Sequence, residues 1–343
     1  MTDGEPRLTE LALIRALRAG ARRAPGVRVG IGDDCAVLEL SGGGVLLATT
    51  DLLIEDVHFR RRYAEPADIG WKALAVNVSD IASMGGTPRW ALVALACPDR
   101  TTMSDVEAFY QGVSAVSEAY GGTVVGGDTS ASPAGWVVNI TLLGEASRPP
   151  LLRSGARPGD VVAVTGDLGR SAGGLAVLER TVAPAGATAA SLAALTSAHL
   201  RPRPRVKEGQ WLASAGSVTA MIDLSDGLAT DLRHVVEASN VAARVELRRL
   251  PIAAATREVA EATRDDAIAW ATGGGEDYEL LLTCAPAAFA GLRDSLLAAT
   301  GTELTAVGTI EPGPASVTFI GADGRAVDVR PGFEHFAQGS RRE

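Results

Sequence analysis

Apolar positions along the chain alternate between helical spacing and short runs bounded by glycine, which predicts a mixed α and β protein. Leucine and isoleucine recur at helical spacing over 8–17, and longer helices are predicted over 69–84 and 103–120. Short apolar runs predict strands over 27–31, 45–48, 90–96, 123–125 and 136–143. This order of elements indicates a compact α/β domain that ends near residue 147.

A segment rich in proline and glycine, 148–160, is predicted to connect this domain to a second one. Further strands are predicted over 161–165, 218–222, 244–247, 279–283 and 305–310, with helices between them, including an alanine-rich helix over 184–198. We therefore expect two domains, 1–147 and 148–343. Arginine and proline alternate over 201–205, which is interpreted either as a solvated linker or as a segment that faces a phosphate.

Composition narrows the class of protein. With 343 residues, of which 46% are hydrophobic and 21% charged, the chain is typical of a folded protein with a real core. Its net charge of −9 argues against nucleic acid or an anionic membrane surface as a partner. Only two of its 32 basic residues are lysines, Lys72 and Lys207. Neither lies in a P-loop motif, which excludes that fold, or in the strand motif of protein kinases.

The cysteines and the N-terminus bear on the cellular compartment. Cys35, Cys97 and Cys284 are too far apart for a zinc knuckle or a disulfide framework and fit a reducing cytoplasm. The N-terminus lacks the basic-then-apolar pattern of a signal peptide, and no apolar run approaches the length of a membrane span. We expect a cytoplasmic protein that does not enter a membrane.

Acidic residues recur beside glycine or a hydroxyl residue where predicted strands end. The set comprises Asp33, Asp34, Asp51, Asp128, Asp223 and Asp226, extended by Asp80 on a predicted helix and by Glu276 and Asp277 after a glycine. Clustered carboxylates repel one another unless cations bind them, and Mg²⁺ prefers carboxylate and phosphate oxygens. The alternative for each aspartate alone is a helix cap or a turn, above all for Asp226, which precedes the predicted helix 228–238. The whole set favours a magnesium site because capping does not require so many acidic turns.

A second feature is the segment 162–175, in which an apolar strand leads into a glycine-rich turn and a helix. Backbone N–H groups at such a helix N-terminus can hold an anion. The spacing is not Gly-x-Gly-x-x-Gly, so a dinucleotide-binding fold is not supported. Packing of the strand against the helix explains the glycines equally well.

Motifs spread over residues 8–336 resemble the thiamine-monophosphate kinase family. They are Gly30–Ala36, Thr49–Asp51, His58–Phe59, Lys72–Asp80, Met84–Gly85, Gly126–Thr129, Arg153–Gly155, Asp223–Gly227, Gly274–Leu280 and Gly332–Phe336. This family is similar to aminoimidazole ribonucleotide synthetase and related ATP-binding enzymes. The resemblance implies a two-domain α/β subunit, and a homodimer in which the N-terminal sheets join into a barrel-like core. Hydrogenase-maturation and selenophosphate-synthesising relatives use a cysteine or a glycine-loop lysine that this chain lacks, which favours the kinase.

The reaction implied by the resemblance is transfer of a phosphoryl group from ATP to thiamine monophosphate, giving ADP and thiamine diphosphate. The acceptor is a phosphate oxygen that is already anionic, so no general base and no catalytic side chain are expected. The main obstacle is repulsion between two phosphorylated ligands, which several Mg²⁺ ions would neutralise. We expect direct in-line transfer without a phosphoenzyme.

The resemblance also implies roles for single residues. Magnesium would be held by Asp34, Thr49, Thr50, Asp51, Asp80, Asp128, Asp223 and Asp226, the two threonines acting partly through backbone oxygens. ATP would contact Gly127, Asp128, Arg153, Ser225 and, on weaker grounds, Tyr110. Thiamine monophosphate would contact His58, Glu276 and Phe333, whose ring can face a cationic or heteroaromatic ring. Asp33, Asp277 and Tyr278 would support these residues or form turns. Domain 1–147 would bind ATP and magnesium and form the dimer, and 148–343 would complete the site.

Alternatives stay open for the chain and for single residues. The chain could be a related ATP-dependent synthetase that acts on an amide or carbonyl substrate, or an inactive dimeric nucleotide sensor. Against the sensor, every acidic position expected of the family is filled. Arg153 alone could be a solvated linker residue, Phe333 part of the core, and His58 a structural hydrogen-bonding residue.

Overall fold

The structure, a computed structural model, describes residues 8–21, 24–333 and 335–336. Glu334 of the C-terminal motif lies outside the described residues. No helix in the described part of the chain is long and apolar enough to cross a membrane. Two mixed sheets with helices packed on them make up the molecule, which confirms the predicted α/β class.

The first sheet has six strands in the order β1-β2-β3-β6-β4-β5. Their bounds are β1 Val27–Val29, β2 Ala36–Glu39, β3 Val45–Ile54, β4 Thr87–Cys97, β5 Thr123–Ala131 and β6 Val137–Ala146. Of β3, only residues 45–48 pair with β2. Among the described residues, 49–54 of β3 therefore pair on one side only, with β6. Strand β5 is the other edge of the sheet, and in the part of the chain that the structure describes it pairs only with β4.

Three helices accompany this sheet: α1 Glu10–Gly20, α2 Pro66–Ser83 and α3 Met103–Tyr120. Helix α2 begins with a proline in its first turn and is buried over most of its length. It can approach α3 closely because a Cβ at Gly70 would lie 1.9 Å from the Phe109 carbonyl oxygen and one at Gly112 would lie 2.0 Å from that of Ala67. The missing side chains at Gly70 and Gly112 therefore let the backbones of α2 and α3 pack in direct contact.

The second sheet has seven strands in the order β13-β12-β9-β11-β7-β10-β8. Their bounds are β7 Val161–Thr165, β8 Val218–Asp223, β9 Ala242–Glu246, β10 Leu280–Cys284, β11 Leu304–Glu311, β12 Ser316–Ile320 and β13 Ala326–Val327. The helices are α4 Arg170–Leu178, α5 Ala189–Leu200, α6 Val206–Ala215, α7 Leu228–Ser239, α8 Ala254–Thr263, α9 Ala267–Gly273 and α10 Pro286–Thr300. A short 3₁₀ turn follows β9.

Most predicted elements are present, and the differences have local causes. Helix α3 has the predicted bounds, whereas β5 continues past the predicted end at Val125 because Gly126 and Gly127 stay paired with β4. Helix α5 begins at Ala189, five residues later than predicted, after Thr188 caps it. Strands β2, β12 and β13 were not predicted, because short strands are recognised only once their partners are known.

The segment between the two sheets contacts both. Leu151 donates a backbone hydrogen bond to Met84 (3.2 Å), directly after α2, and Met221 in β8 donates one to Leu152 (2.9 Å). Arg205, at the end of the segment 201–205, contradicts the interpretation as a solvated linker, whereas the interpretation as a segment that faces a phosphate stays a prediction. Arg205 is largely buried and ion-paired with Glu279 at the start of β10, so this segment is a structural contact between elements.

Candidate metal and substrate site

Three carboxylates meet where α2 passes between the two sheets. Asp34 lies in the turn before β2, Asp80 on α2, and Asp223 is the last residue of β8. Each offers an oxygen within 4.8 Å of the others. We call these three residues the carboxylate cluster. Because its members come from both halves of the chain, the cluster exists only when the two sheets pack around α2.

Hydroxyl groups on α2 orient two of these carboxylates. Ser79 donates a hydrogen bond to Asp223 (2.5 Å), and Ser83 donates one to Asp34 (2.5 Å). Both serines are buried, and their spacing of four residues places them with Asp80 on one side of the helix. Two serines of α2, Ser79 beside Asp80 and Ser83 one turn later, therefore orient carboxylates from both halves of the chain.

Strand β3 contributes residues with alternating orientation, as expected for a strand. Thr49 donates a short hydrogen bond to Asp80, and the Oδ2 atom of Asp51 is buried with no hydrogen-bond partner in the described part of the chain. Thr50 instead interacts with Asn139 on β6 (3.0 Å), on the other side of the sheet. Thr50 could therefore reach an ion at the cluster only through its backbone. Asp51 lies inside β3 rather than at a strand end, contrary to the expected placement.

Burial and mutual repulsion perturb these acids strongly. The pKa of Asp51 is raised to about 6 by burial and by the charge of Asp34, and that of Asp223 to about 8 by burial and again by Asp34. Burial and the charges of neighbouring aspartates raise the pKa of Asp80 well above its ordinary value. A carboxylate group of this kind is stabilised in its ionised form when a hard cation binds it.

Arg153 also contacts the cluster. Its Nε atom donates to Asp34 (2.7 Å), a second guanidinium nitrogen makes a short contact with the same oxygen, and its backbone N–H donates to Asp33 (3.3 Å). Burial, followed by the charge of Asp34, raises the pKa of Asp33 to about 6. The interpretation of Arg153 as a solvated linker residue is therefore wrong.

The raised pKa of Asp223 predicts how the stability of the metal-free protein depends on pH. Because the folded-state value, about 8, lies above the unfolded value of 3.8, the stability that this group contributes is complete below 3.8 and lost as pH rises through 8. In chelator, Asp223→Asn should therefore melt several degrees above wild type at pH 8.5, since roughly 1 kcal/mol shifts Tm by 2–4 °C. The difference should shrink as pH falls towards 4. A difference that melting curves show to be independent of pH would contradict this expectation.

A second group of residues includes the expected substrate contacts. His58 accepts a hydrogen bond from the Ile54 N–H (3.0 Å), and its ring centre lies 5.2 Å from that of His335. The Phe333 ring packs edge-on against the same His335 at 4.8 Å. Burial and His335 lower the pKa of His58, and the nearby charge of Glu276 opposes this shift. The structure thus brings His58, Glu276 and Phe333 to one region.

The sequence did not predict a role for Lys72, which binds Glu276. Its Nζ atom lies 3.0 and 3.1 Å from the two carboxylate oxygens of Glu276, and its side chain is 3% exposed. His199 on α5 lies beside the same carboxylate. One feature of the sequence could have pointed to Lys72. Nearly all basic residues of this chain are arginines, and one of its two lysines lies on the apolar helix α2.

The turn after β8 connects the carboxylate cluster to the expected substrate contacts. Ser225 accepts a backbone hydrogen bond from Glu276 (2.7 Å), and Asp226 accepts one from Phe333 (3.1 Å). Asp226 does not act as a helix cap. Asp231, one turn into α7, accepts from the Asp226 and Gly227 N–H groups (3.2 and 2.9 Å), and Asp231, Asp226 and His234 form a second group of possible ligands.

The remaining predicted residues lie elsewhere in the chain. Gly127 and Asp128 are on the edge strand β5, separated from β3 by β4 and β6. Three strand steps of about 4.8 Å place Asp128 roughly 14 Å from β3 of its own chain. Tyr110 lies on α3, with its ring edge-on to Phe109 at 5.2 Å. Within one subunit, the structure therefore does not bring Asp128 into the cluster.

The glycine-rich turn after β7 already holds an anion, which is a carboxylate of the chain itself. Asp277 accepts hydrogen bonds from the N–H groups of Gly169 (2.6 Å) and Ser171 (3.0 Å) at the start of α4. Burial raises the pKa of Asp277 to about 7, although these hydrogen bonds oppose the shift. The two N–H groups thus hold the loop that carries Glu276 in place.

Family models match both halves of the chain. The model for AIR synthase related protein, N-terminal domain, matches residues 32–146, and the model for the C-terminal domain matches 157–320. Together they cover both sheets. A chain that matches both models has the two-domain α/β architecture of that group.

Curated relatives are similar over nearly their whole length. A thiamine-monophosphate kinase of Bacillus subtilis is 35% identical over 96% of this chain and 100% of its own. One from Escherichia coli K12 is 39% identical over 91% and 93%. A solved structure described as AaThiL complexed with AMPPCP and TMP is 34% identical, covers 97% of this chain and 100% of its own, and has a TM-score of 0.83.

Proposed function

The chain belongs to the thiamine-monophosphate kinase family, and we propose that it phosphorylates thiamine monophosphate with ATP by direct in-line transfer, giving thiamine diphosphate. The observation that carries this proposal is the carboxylate cluster, which lies beside the turn that connects to the predicted substrate residues. Relatives named as kinases match over most of the chain, which favours the kinase over a synthetase acting on an amide or carbonyl.

The side chains of the cluster fit magnesium. A buried carboxylate oxygen of Asp51 has no hydrogen-bond partner among the described residues, and the neighbouring Asp223 has a raised pKa, as expected where a hard cation is to bind. We assign Asp34, Asp51, Asp80 and Asp223 to this binding, with Thr49 and Thr50 through oxygen atoms and Asp226 at a neighbouring position. When bound, magnesium supplies positive charge that offsets repulsion between the two phosphorylated ligands.

The chain's own residues would position the ligands. Arg153, already beside Asp34, would bind the phosphates of ATP, and the turn at Ser225 would contact the same ligand. His58, Glu276 and Phe333 would bind thiamine monophosphate. Because the acceptor is an anionic phosphate oxygen, no side chain is needed as a base, and positioning together with charge compensation accounts for the rate.

A homodimer would complete the site. Residues 49–54 of β3 and the whole of β5 have open edges, and the exposed face between them carries Leu52 and Leu92, 48% and 44% exposed. Four strands from each of two copies can close into a barrel that buries these edges and this face. Closure would place β5 of the partner subunit beside the open half of β3, and with it Gly127 and Asp128. The domain 1–147 would thus form the dimer, and 148–343 would complete each site.

The proposed activity is tested by incubating the protein with ATP, Mg²⁺ and thiamine monophosphate and separating the products by chromatography. We expect thiamine diphosphate and ADP in equal amounts. With ATP labelled on its γ-phosphate and no thiamine monophosphate, no label should remain on the denatured protein, because transfer is direct. Failure to form thiamine diphosphate while ATP still binds would overturn the assignment, and a labelled protein would overturn direct transfer.

A further inference from the structure

A buried network of side chains from helices α2, α4 and α5 holds the carboxylate of Glu276. Lys72 on α2 contacts both of its carboxylate oxygens, and His199 on α5 lies 3.2 Å from one of them. The hydroxyl of Ser171 on α4 lies 3.0 Å from Nδ1 of His199, the nitrogen that is near Glu276. Lys72 and His199 are each 3% exposed, whereas Glu276 is 27% exposed, so the open part of the carboxylate faces away from the network.

The hydrogen bonds fix the tautomer of His199. The ammonium of Lys72 can only donate, so Nε2 of His199, 3.5 Å away, faces it as the unprotonated nitrogen. Nδ1 then carries the proton and donates it to the Ser171 hydroxyl (3.0 Å), while an oxygen of Glu276 lies 3.2 Å from the same nitrogen. Burial and the charge of Lys72 lower the pKa of His199 to about 3, so the ring is neutral. Lys72 and Glu276 therefore form a pair without net charge.

The backbone at Glu276 is held in an unusual conformation. Its φ is 67°, and that of Tyr278 is 51°, in the left-handed region that residues with a side chain rarely adopt. The Glu276 N–H is bonded to Ser225, and the next residue, Asp277, binds the start of α4. Strained residues fixed on both sides are typical of a group that must be presented in one orientation.

The charge around Glu276 is set mainly by Lys72. Burial would raise the pKa of this carboxyl, but Lys72 and His199 together hold it below its ordinary value. A carboxylate compensated in this way remains ionised and still accepts hydrogen bonds, but it offers no net charge to a cationic ring.

On the basis of the proposed function, we propose that Lys72 is a positioning residue for substrate binding. It fixes the orientation and the ionised state of Glu276, so that this carboxylate accepts a hydrogen bond from an amino group of thiamine monophosphate. His199 completes the arrangement as a neutral ring that packs 3.2 Å from the same carboxylate and is held by Ser171. The specificity for an amino-bearing ligand then depends on a residue that does not contact the substrate.

Lys72→Met tests this role, because methionine has a similar stem and no charge. We expect its KM for thiamine monophosphate to rise about 10-fold or more, while its KM for ATP changes less than about twofold. The KM for thiamine monophosphate should also become dependent on pH, rising as pH falls between 8 and 5, because the uncompensated Glu276 becomes protonated. Lys207→Met changes the second lysine, which is exposed. It should leave the KM for thiamine monophosphate, the KM for ATP and the pH dependence of the former unchanged.

A double-mutant cycle separates positioning from a structural role. On a Glu276→Gln background, Lys72→Met should raise the KM for thiamine monophosphate no further, because no charge is left to compensate. An equal increase on both backgrounds, or a KM independent of pH, would overturn the proposal. If Lys72→Met does not fold, Lys72→Gln retains an uncharged amide NH2 donor and should show the same pH dependence with a smaller rise in KM. A wild-type protein that forms no thiamine diphosphate would instead refute the proposed function.

Discussion

Asp51→Asn is expected to lower kcat by roughly 10³-fold or more while leaving the fold intact. The Oδ2 atom of Asp51 has no hydrogen-bond partner within the described residues, so replacing it breaks no visible structural contact. What the variant loses is a ligand oxygen for magnesium. Its Tm in chelator should rise above that of wild type, because burial has raised the pKa of this carboxyl to about 6 and its charge destabilises the metal-free fold at pH 7.

Three measurements check this expectation: turnover, the Tm in chelator, and the increase in Tm on adding Mg²⁺, which should be much smaller in the variant. Asp294→Asn is the matched control, since that carboxylate is 68% exposed on α10 and should change none of them. Near-normal turnover in Asp51→Asn would refute the magnesium site. A variant with low turnover and a decreased Tm in chelator would show instead that Asp51 supports the fold.

Heterodimers are expected to show that each site draws on both subunits. Homodimers of Asp51→Asn and of Asp128→Asn should both be inactive. A heterodimer with one chain of each kind, purified through two different affinity tags, should regain about half of the wild-type activity. One of its sites then combines an intact Asp51 with an intact Asp128 of the partner subunit, and the other site has lost both.

The reciprocal heterodimer is the control. Wild type paired with the Asp51→Asn, Asp128→Asn double variant should be inactive if the sites are shared, because each site then lacks one carboxylate. Half activity in this heterodimer, with none in the first, would show that both carboxylates act within one subunit. A protein that sedimentation shows to be monomeric while it is active would exclude the dimer altogether.

Local sequence determined most of the secondary structure. Helix α3 has the predicted bounds because its periodicity and its capping threonine at 102 are local signals. The five strands of the second sheet that were predicted, β7 to β11, also lie close to their predicted bounds. The single-residue interpretations were less reliable. Asp226 does not cap α7, because Asp231 within the same helix accepts the hydrogen bonds of the Asp226 and Gly227 N–H groups. Residues 201–205 are not a wholly solvated linker, because Arg205 is ion-paired with Glu279, 74 positions away.

The acidic residues illustrate the same division. Motifs along the chain were enough to select Asp34, Asp80 and Asp223 as candidate ligands, since carboxylates beside glycine and hydroxyl residues are chemically specific. That these three meet, and that Asp128 of the same chain does not join them, depends on the strand order of the first sheet and on the packing of α2.

By itself, the sequence determined the fold class, the family and the kinds of residues that form the site, because periodicity, composition and motifs are local properties of the chain. Only the tertiary structure revealed the contact between Lys72 and Glu276, which are 204 positions apart. The charge of a buried carboxylate is set by neighbours within a few ångströms, and packing of α2 and α5 against the turn that carries Glu276 decides which neighbours those are.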